Sequence, residues 1–387
     1  MITEEWNIQR GKMMFERNRT PLAGIDWKHG AQVLSSTHMH CYLPEHLELY
    51  LKGGLECAMV SNYYPSAPWY PLNSIRENTF RLGQTGCFRN GEFHRERIDF
   101  TPLLESWKHL LPEESRKQLP FDEGKVVFPD LPENLLEIPN AEHHWFSDCD
   151  DYFHVTSPGA MLVTGIFDRF GKFGMTEQGG FARGFPVPWR EAFREILDSL
   201  LIPDGGGIII NHPMWSHMTA DFLLELLDFD PRVLGMEIFN GDGLMDFTAF
   251  NDMLWDQVLA TGRQCFGFFA QDHVDDNIWQ GKIMLLPEER TAEGCMKALR
   301  QGRFYGMISD NGLRFEELSF DGRSYKARCN RKVNFQLLGA KGVVADFRGT
   351  EFSFDVPAGK REEWLYLRLT ALERGAEKLY SQATFLI

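Results

Sequence analysis

Between residues 31 and 310, short apolar runs alternate with helical stretches, and one apolar run after another ends in or beside a histidine or an acid. Ala31-Gln32-Val33-Leu34 leads into Ser36-Thr37-His38-Met39-His40, and a helical stretch follows from Pro44 to Gly53. The alternating segment 135–142 reads as a strand ending on Glu142, and an apolar run from residue 160 follows His154. Ile208-Ile209-Ile210 runs into Asn211-His212-Pro213, and the run 265–270 into Gln271-Asp272-His273. Helices are expected at 190–201, 219–228, 245–261 and 291–300, with a further strand at 233–239. Strand and helix in alternation predict an α/β protein built on a parallel sheet or barrel. In a barrel, residues at the C-terminal strand ends converge on one mouth however far apart they lie in the chain.

Past residue 310 the hydrophobic period becomes two. Short strands are expected at 315–320, 333–338, 352–356, 364–370 and 383–387, with the aromatics Trp364 and Tyr366 in its core. The expected organisation is therefore an N-terminal arm (1–30), a main domain (31–310) and a small C-terminal all-β module (311–387). Within the main domain, 64–132 is broken by Pro65, Pro68, Pro71, Pro102, Pro112 and further Pro and Gly, so it reads as an insertion or lid without regular structure. Arg76, Arg81, Arg89, Arg95 and Arg97 make part of it basic, and Arg81 and Arg89 are the candidate contacts to a substrate phosphate.

The strand-end residues have the chemistry of a metal site. In an extended segment residues i and i+2 share a side, so His38 and His40 can face one cavity. Imidazole with carboxylate suits zinc, manganese or iron, and a carboxylate such as Glu142 can bridge two ions. His154, for which His143 or His144 could stand instead, His212, Asp272 and His273 complete the set, with Glu45 and His46 as further candidate ligands. Asp272-His273 and His273-Val274-Asp275 are alternative pairings. His217, after Trp215-Ser216, is a candidate substrate contact, and Cys41 reads as a small buried residue.

The ordered set His38-x-His40, Glu142, His154, His212-Pro213 and Asp272-His273, placed before Gly302-Arg303-Phe304-Tyr305, resembles the polymerase and histidinol phosphatase (PHP) superfamily. With its β tail it is similar to a branch that includes carbaryl-hydrolase-like metallohydrolases. The resemblance implies a distorted seven-stranded (β/α) barrel holding two or three divalent ions, with a metal-activated water attacking a phosphoester; for this chain, which departs from the pattern at a ligand position, one to three ions are expected. Glu45 or His46 stands where the superfamily commonly has a ligand. Ser61-Asn62-Tyr63 stands where it usually has Thr-Asp-His, and Asp272-His273 where it usually has Asp-x-His. The catalytic set implied is His38, His40, Glu142, His212, Asp272 and His273.

A formal charge of -15 argues against nucleic acid as a partner, which needs a basic face. Local arginines and metal ions still allow a small anionic substrate. Seven cysteines without a Cys-x-x-Cys point to reduced thiols, and no apolar run approaches a membrane span of about 18 residues, so the expected setting is cytoplasmic. The function expected is a metal-dependent phosphoesterase. The alternatives are a metal-dependent carboxylic ester, carbamate or amide hydrolase, or a degenerate barrel serving as a binding module.

Overall fold

The computed structural model describes residues 17–41, 44–61, 82–89, 92–98, 121–122, 131–144, 146, 153–160, 188–244, 247–274, 279–308, 312–373 and 377–386. The expected ligand position Glu45 (as to its side chain), together with Tyr63, Arg76, Arg81, Asp275 and Asp276, lies outside that description, as do the side chains of Arg89 and His144.

The fold is mixed α/β. The first strands are β1 (Val33–Ser35) and β2 (Cys57–Ala58), joined through helix α1 (Pro44–Lys52). In the insertion, β3 (Leu82–Arg89), β4 (Glu92–Ile98) and β5 (Phe121–Asp122) form a separate antiparallel sheet in the order β4-β3-β5. This corrects the expectation of a stretch without regular structure. Asn90-Gly91, the dipeptide favoured in two-residue hairpin loops, was the sequence signal for the β3–β4 pairing.

Next come β6 (Leu136–Glu137), β7 (Glu142–His144), β8 (His154–Thr156), β9 (Ile208–Ile210), β10 (Val233–Asn240) and β11 (Phe266–Ala270). The last five form one sheet in the order β11-β10-β9-β8-β7. Helices α2 (Trp189–Asp198), α3 (Ala220–Phe229) and α4 (Asp252–Leu259) accompany it. Trp189, Phe193 and Ile196 of α2, and Leu223, Leu226 and Leu227 of α3, are buried at the three- and four-residue spacing of one helix face. The Thr219 side chain accepts from Phe222 N–H and starts α3.

Only part of this framework is parallel. β9, β10 and β11 pair parallel, as do β1, β2 and β6, whereas β7–β8 and β8–β9 are antiparallel. Residues 145–153 form a shorter link than the dozen or so residues a parallel crossover needs. The helix expected over 245–261 is also shorter, because Phe247, at φ 66°, adopts a left-handed conformation no helix accommodates.

β12 (Gly281–Leu285) pairs antiparallel with β1 and with β13 (Phe304–Ile308), α5 (Ala292–Gln301) lying between them in the chain. Gly302 caps α5 at φ 69°, and a Cβ there would meet the Phe266 ring at 2.4 Å. β14 (Phe315–Phe320), β15 (Ser324–Gly339), β16 (Gly342–Asp355), β17 (Tyr366–Leu372), β18 (Lys378–Tyr380) and β19 (Thr384–Phe385) follow, with helix α6 (Arg361–Trp364) before β17. Hydrogen bonding continues from this part into the rest through β18–β13, so one 11-stranded sheet crosses residue 310. Two hydrophobic clusters pack against it. One is built around Trp189, Phe193, Trp255 and Phe268, the other around Tyr305, Phe315, Tyr325, Phe335 and Leu369. Tyr366 is buried and Trp364 packs partly buried on the second cluster.

No closed sheet forms among the described strands. Single contacts span the gaps. Met39 bridges both Val60 and Asp272, His40 N–H donates to Asp272 O, Asp272 N–H to His38 O, and Glu142 N–H to Ser61 O. These contacts gather the ends of β1, β2, β7 and β11 around one point.

Candidate metal centre

Met39 turns its side chain into the core, and the extended backbone sends His38 and His40 the other way, their ring centroids 5.1 Å apart. Both histidines are fully buried. His38 Nε2 lies 3.2 Å from His40 Nε2, 3.3 Å from Glu142 Oε2 and 3.1 Å from Asp272 Oδ1. His40 Nε2 lies 3.0 Å from Glu142 Oε2 and 3.1 Å from Asp272 Oδ1. Four donor atoms, two from the segment after β1, one from β7 and one from just past β11, thus lie close together.

The other oxygen of Glu142 faces a second group. Oε1 is 2.8 Å from His154 Nδ1 and 3.5 Å from His212 Nε2. His212 Nε2 is also 3.8 Å from Asp272 Oδ2. Glu142 therefore belongs to two sets of ligand-type atoms at once, His38-His40-Glu142-Asp272 and Glu142-His154-His212.

Two positions are held in left-handed backbone conformations that side-chain-bearing residues rarely adopt, His212 at φ 22° and Asp272 at φ 68°. Such strain, on the order of 1–3 kcal/mol per residue, persists only where the surroundings over-determine it. The surroundings are specific. Glu237 Oε2 accepts from His212 N–H at 2.7 Å and from Asn240 Nδ2 at 2.8 Å, and the same amide donates to Asp272 Oδ2 at 3.1 Å. Asn211 Nδ2 donates to Glu142 Oε1 at 3.1 Å, while its carbonyl accepts from Thr156 N–H. Asn140 ties the loops together, donating to Thr37 O and Met59 O and accepting from Ala141 N–H and Ser157 N–H.

Glu237, Asn240, Asn211 and Asn140 escaped the sequence reading. Glu237 had a signal. It is the one acid in β10, whose eight residues are all buried, and an acid in such a run needs a partner. Its partner is His38 Nδ1, 2.8 Å from Glu237 Oε1. A carboxylate only accepts, so Nδ1 carries a proton, and when the ring gives up its second proton to bind a cation, Nε2 is the atom it offers to the cluster.

The charges reflect crowding. Burial disfavours a proton on His38, yet Asp272, Glu142 and Glu237 together hold its pKa well above the usual value. His40 and His212 are also raised, against burial, by Asp272 and Glu142. Glu142 and Asp272 are lowered, despite burial, chiefly by charge on His38. His154 is lowered by burial. Burial and the charge on His40 push His273 down to about 3.

This donor set fits a metal. Tetrahedral coordination at about 2.0–2.1 Å separates ligand atoms by about 3.3 Å, close to the 3.0–3.3 Å that separates the two histidine nitrogens from each other and from the two carboxylate oxygens. Once the two imidazole nitrogens are deprotonated, their lone pairs and the two carboxylate oxygens face one another with no proton between them, and a divalent cation satisfies all four.

Other expected residues sit apart from this cluster or at its edge. His273 stacks on His40 with centroids 4.2 Å apart, its Nε2 3.6 Å from Asp272 Oδ1, so of the Asp272-His273 pair the acid belongs to the cluster and the histidine borders it. His46 is half-buried and belongs to neither ligand set. His143 turns away and pairs with Ser157 Oγ at 2.9 Å, burial pushing it down to about 3. His217 is exposed at φ 54°. Cys41 is buried, its thiol pKa raised by burial. Among the described residues, no helix is long and apolar enough to cross a membrane.

No family model matches the chain, and no curated protein does. Among solved structures, the chain is similar to a two-domain protein from Bacteroides vulgatus, described as containing a predicted PHP-like metal-dependent phosphoesterase. The two are 12% identical over 88% of this chain and 90% of that one, with a TM-score of 0.41. It is also similar to an amidohydrolase from Chromobacterium violaceum, solved with sulfate and without metal, at 10% identity over 63% of this chain and 89% of that one, with a TM-score of 0.32. Both likenesses are too distant to carry an argument about this chain.

Proposed function

We propose that this protein is a metal-dependent hydrolase, a phosphoesterase acting on a small phosphorylated substrate. The observation that carries the reading is the Glu142 carboxylate, whose two oxygens face two different groups of buried histidines. His38, His40, Asp272 and Glu142 Oε2 would hold one divalent ion, of zinc, manganese or iron. His154, His212 and Glu142 Oε1 would hold a second, with only three protein ligands and so with room for substrate or water. Bound there, the ions would lower the pKa of water towards 7 and neutralise charge on phosphoryl oxygens.

The chain's own residues do the positioning. Glu237 keeps the proton of His38 on Nδ1, leaving Nε2 as the donor. Asn240 orients Asp272 and Asn211 orients Glu142, each through an amide hydrogen bond. Burial of the cluster strengthens every charge interaction inside it. The hydrogen bonds linking the ends of β1, β2, β7 and β11 support a distorted seven-stranded (β/α) barrel, with the β-rich segment after residue 310 as an appended module.

Metal analysis of the purified chain, with nitrophenyl phosphate, a bis-nitrophenyl phosphodiester and nitrophenyl acetate as substrates, tests the reading. It expects one to three ions per chain and phosphoester hydrolysis abolished by a chelator and restored by zinc or manganese. Cleavage of acetate alone would move the assignment to carboxylic esters. Trace metal with no thermal stabilisation on adding it would leave a binding module.

A further inference from the structure

The cluster is polar and buried, yet the rim beside it is apolar. Trp215 follows His212 by three residues, its ring centroid 5.0 Å from that of His212 and 5.3 Å from that of His154, and it is 39% exposed. One side of the indole thus packs against the second ligand group while part of the ring stays open to solvent. Met214 beside it is 44% exposed.

The next loop has the same character. β9 and β10 are parallel neighbours, so the loops that leave their C-terminal ends lie side by side. The loop after β10 and the start of α4 carry Leu244, Phe247, Phe250 and Met253, all exposed, and Phe247 almost completely so. The two loops are tied by Met214 N–H donating to Asn251 Oδ1 at 2.8 Å. Exposed apolar residues scattered singly need no explanation, but their concentration on two adjacent loops beside a buried polar cluster does. Ligand sites commonly join an apolar lining to a few convergent polar groups, the lining holding the part of the ligand that does not react.

We propose that Trp215 is a substrate-contacting specificity residue, and that it and the neighbouring rim seat the apolar organic part of the substrate, an aryl or medium-chain alkyl phosphoester. The phosphoryl group would then lie at the Glu142-His154-His212 side of the cluster, where Trp215 packs. This rests on the phosphoesterase reading above and adds to it the chemical class of the organic part.

Non-hydrolysable methyl-, butyl-, octyl- and phenylphosphonate, titrated calorimetrically into the metal-loaded full chain, test it. Affinity should rise with chain length, by up to about four-fold per methylene, the value for full burial. Phenylphosphonate should bind more tightly than methylphosphonate. Trp215→Ala should flatten this dependence with metal content unchanged, and Trp215→Phe should restore most of it. Methylphosphonate binding with no dependence on chain length would overturn the apolar subsite and leave the phosphoesterase reading standing. No phosphonate binding to metal-loaded protein would overturn both. A wild-type dimer that Trp215→Ala dissociates would assign the rim to a second copy of the chain and overturn the proposal.

Discussion

His38 Nδ1 lies 2.8 Å from Glu237 Oε1, with both side chains wholly buried. Because the carboxylate fixes the tautomer, Glu237 governs the donor atom of a residue far from it in the chain without facing the ligand group itself. Glu237→Gln keeps the shape but loses the charge that raises the basicity of His38. Zinc affinity, measured by competition with a chromophoric chelator, should fall about 10- to 100-fold. Unchanged affinity would show that His38 is not a ligand held through Glu237.

Glu142 is the shared member of both ligand groups, so its loss should not resemble the loss of an ordinary ligand. Glu142→Gln retains one carbonyl oxygen but no bridging charge. Metal stoichiometry should drop by at least one ion per chain, and phosphoester hydrolysis by more than about 100-fold. A variant that keeps full metal content by elemental analysis would refute the bridging role.

Metal uptake should depend on pH in a direction set by the histidines. His38, His40 and His212 have raised pKa values in the metal-free fold, so their donor atoms hold protons to higher pH than free imidazole, and those protons must leave when metal enters. Affinity should therefore rise with pH, by about ten-fold per pH unit for each proton displaced, and level off once the raised values are passed. The stability contributed by those protonated histidines is complete below their unfolded pKa of about 6.5 and is lost as pH rises through the folded values. The metal-free protein should thus lose stability on the alkaline side, whereas the metal-loaded protein, in which the ion has displaced those protons, should not. Melting curves of both forms across pH 6–9 would check it, and parallel curves would contradict it.

Away from the cluster, Asp256 of α4 receives both Arg368 nitrogens, Nε at 2.7 Å and Nη2 at 2.6 Å, and the Tyr366 hydroxyl at 2.8 Å. Arg368 is nearly fully buried, while the Asp256 side chain is one-third exposed. Asp256→Ala strands a buried guanidinium, and its cost, discounted for partial exposure, is about 2–3 kcal/mol. Chemical denaturation should register that loss, and a change within about 0.5 kcal/mol would mean that water replaces the carboxylate.

Much of the cluster was legible in the sequence because ligand residues follow a local rule. His38 and His40 share a side through the two-residue period of extended chain, and His212, Asp272 and His273 follow uninterrupted apolar runs. The alternating segment 135–142 predicts Glu142 at the end of a strand, and the structure places it at the start of one. It opens β7, and the segment before it holds only the two-residue strand β6. Asn240 and Asn211 left no comparable trace, since an asparagine at a strand end reads as a turn residue until its amide is seen on Glu237, Asp272 or Glu142.

The local pattern of residues determined that strand and helix alternate over 33–58 and largely again over 189–308, that period-two strands follow beyond residue 310, and that histidines and acids stand at or beside strand termini. Those are consequences of backbone geometry and of which side chains leave water, and they act over a few residues. Tertiary structure decided what those residues do together. Strand direction across β7–β8–β9, the turn of the Glu142 oxygens towards two histidine groups, the exclusion of His143 and the recruitment of Glu237 all depend on contacts across tens to hundreds of residues. Such contacts are fixed by the packing of whole elements, which no period in the sequence encodes.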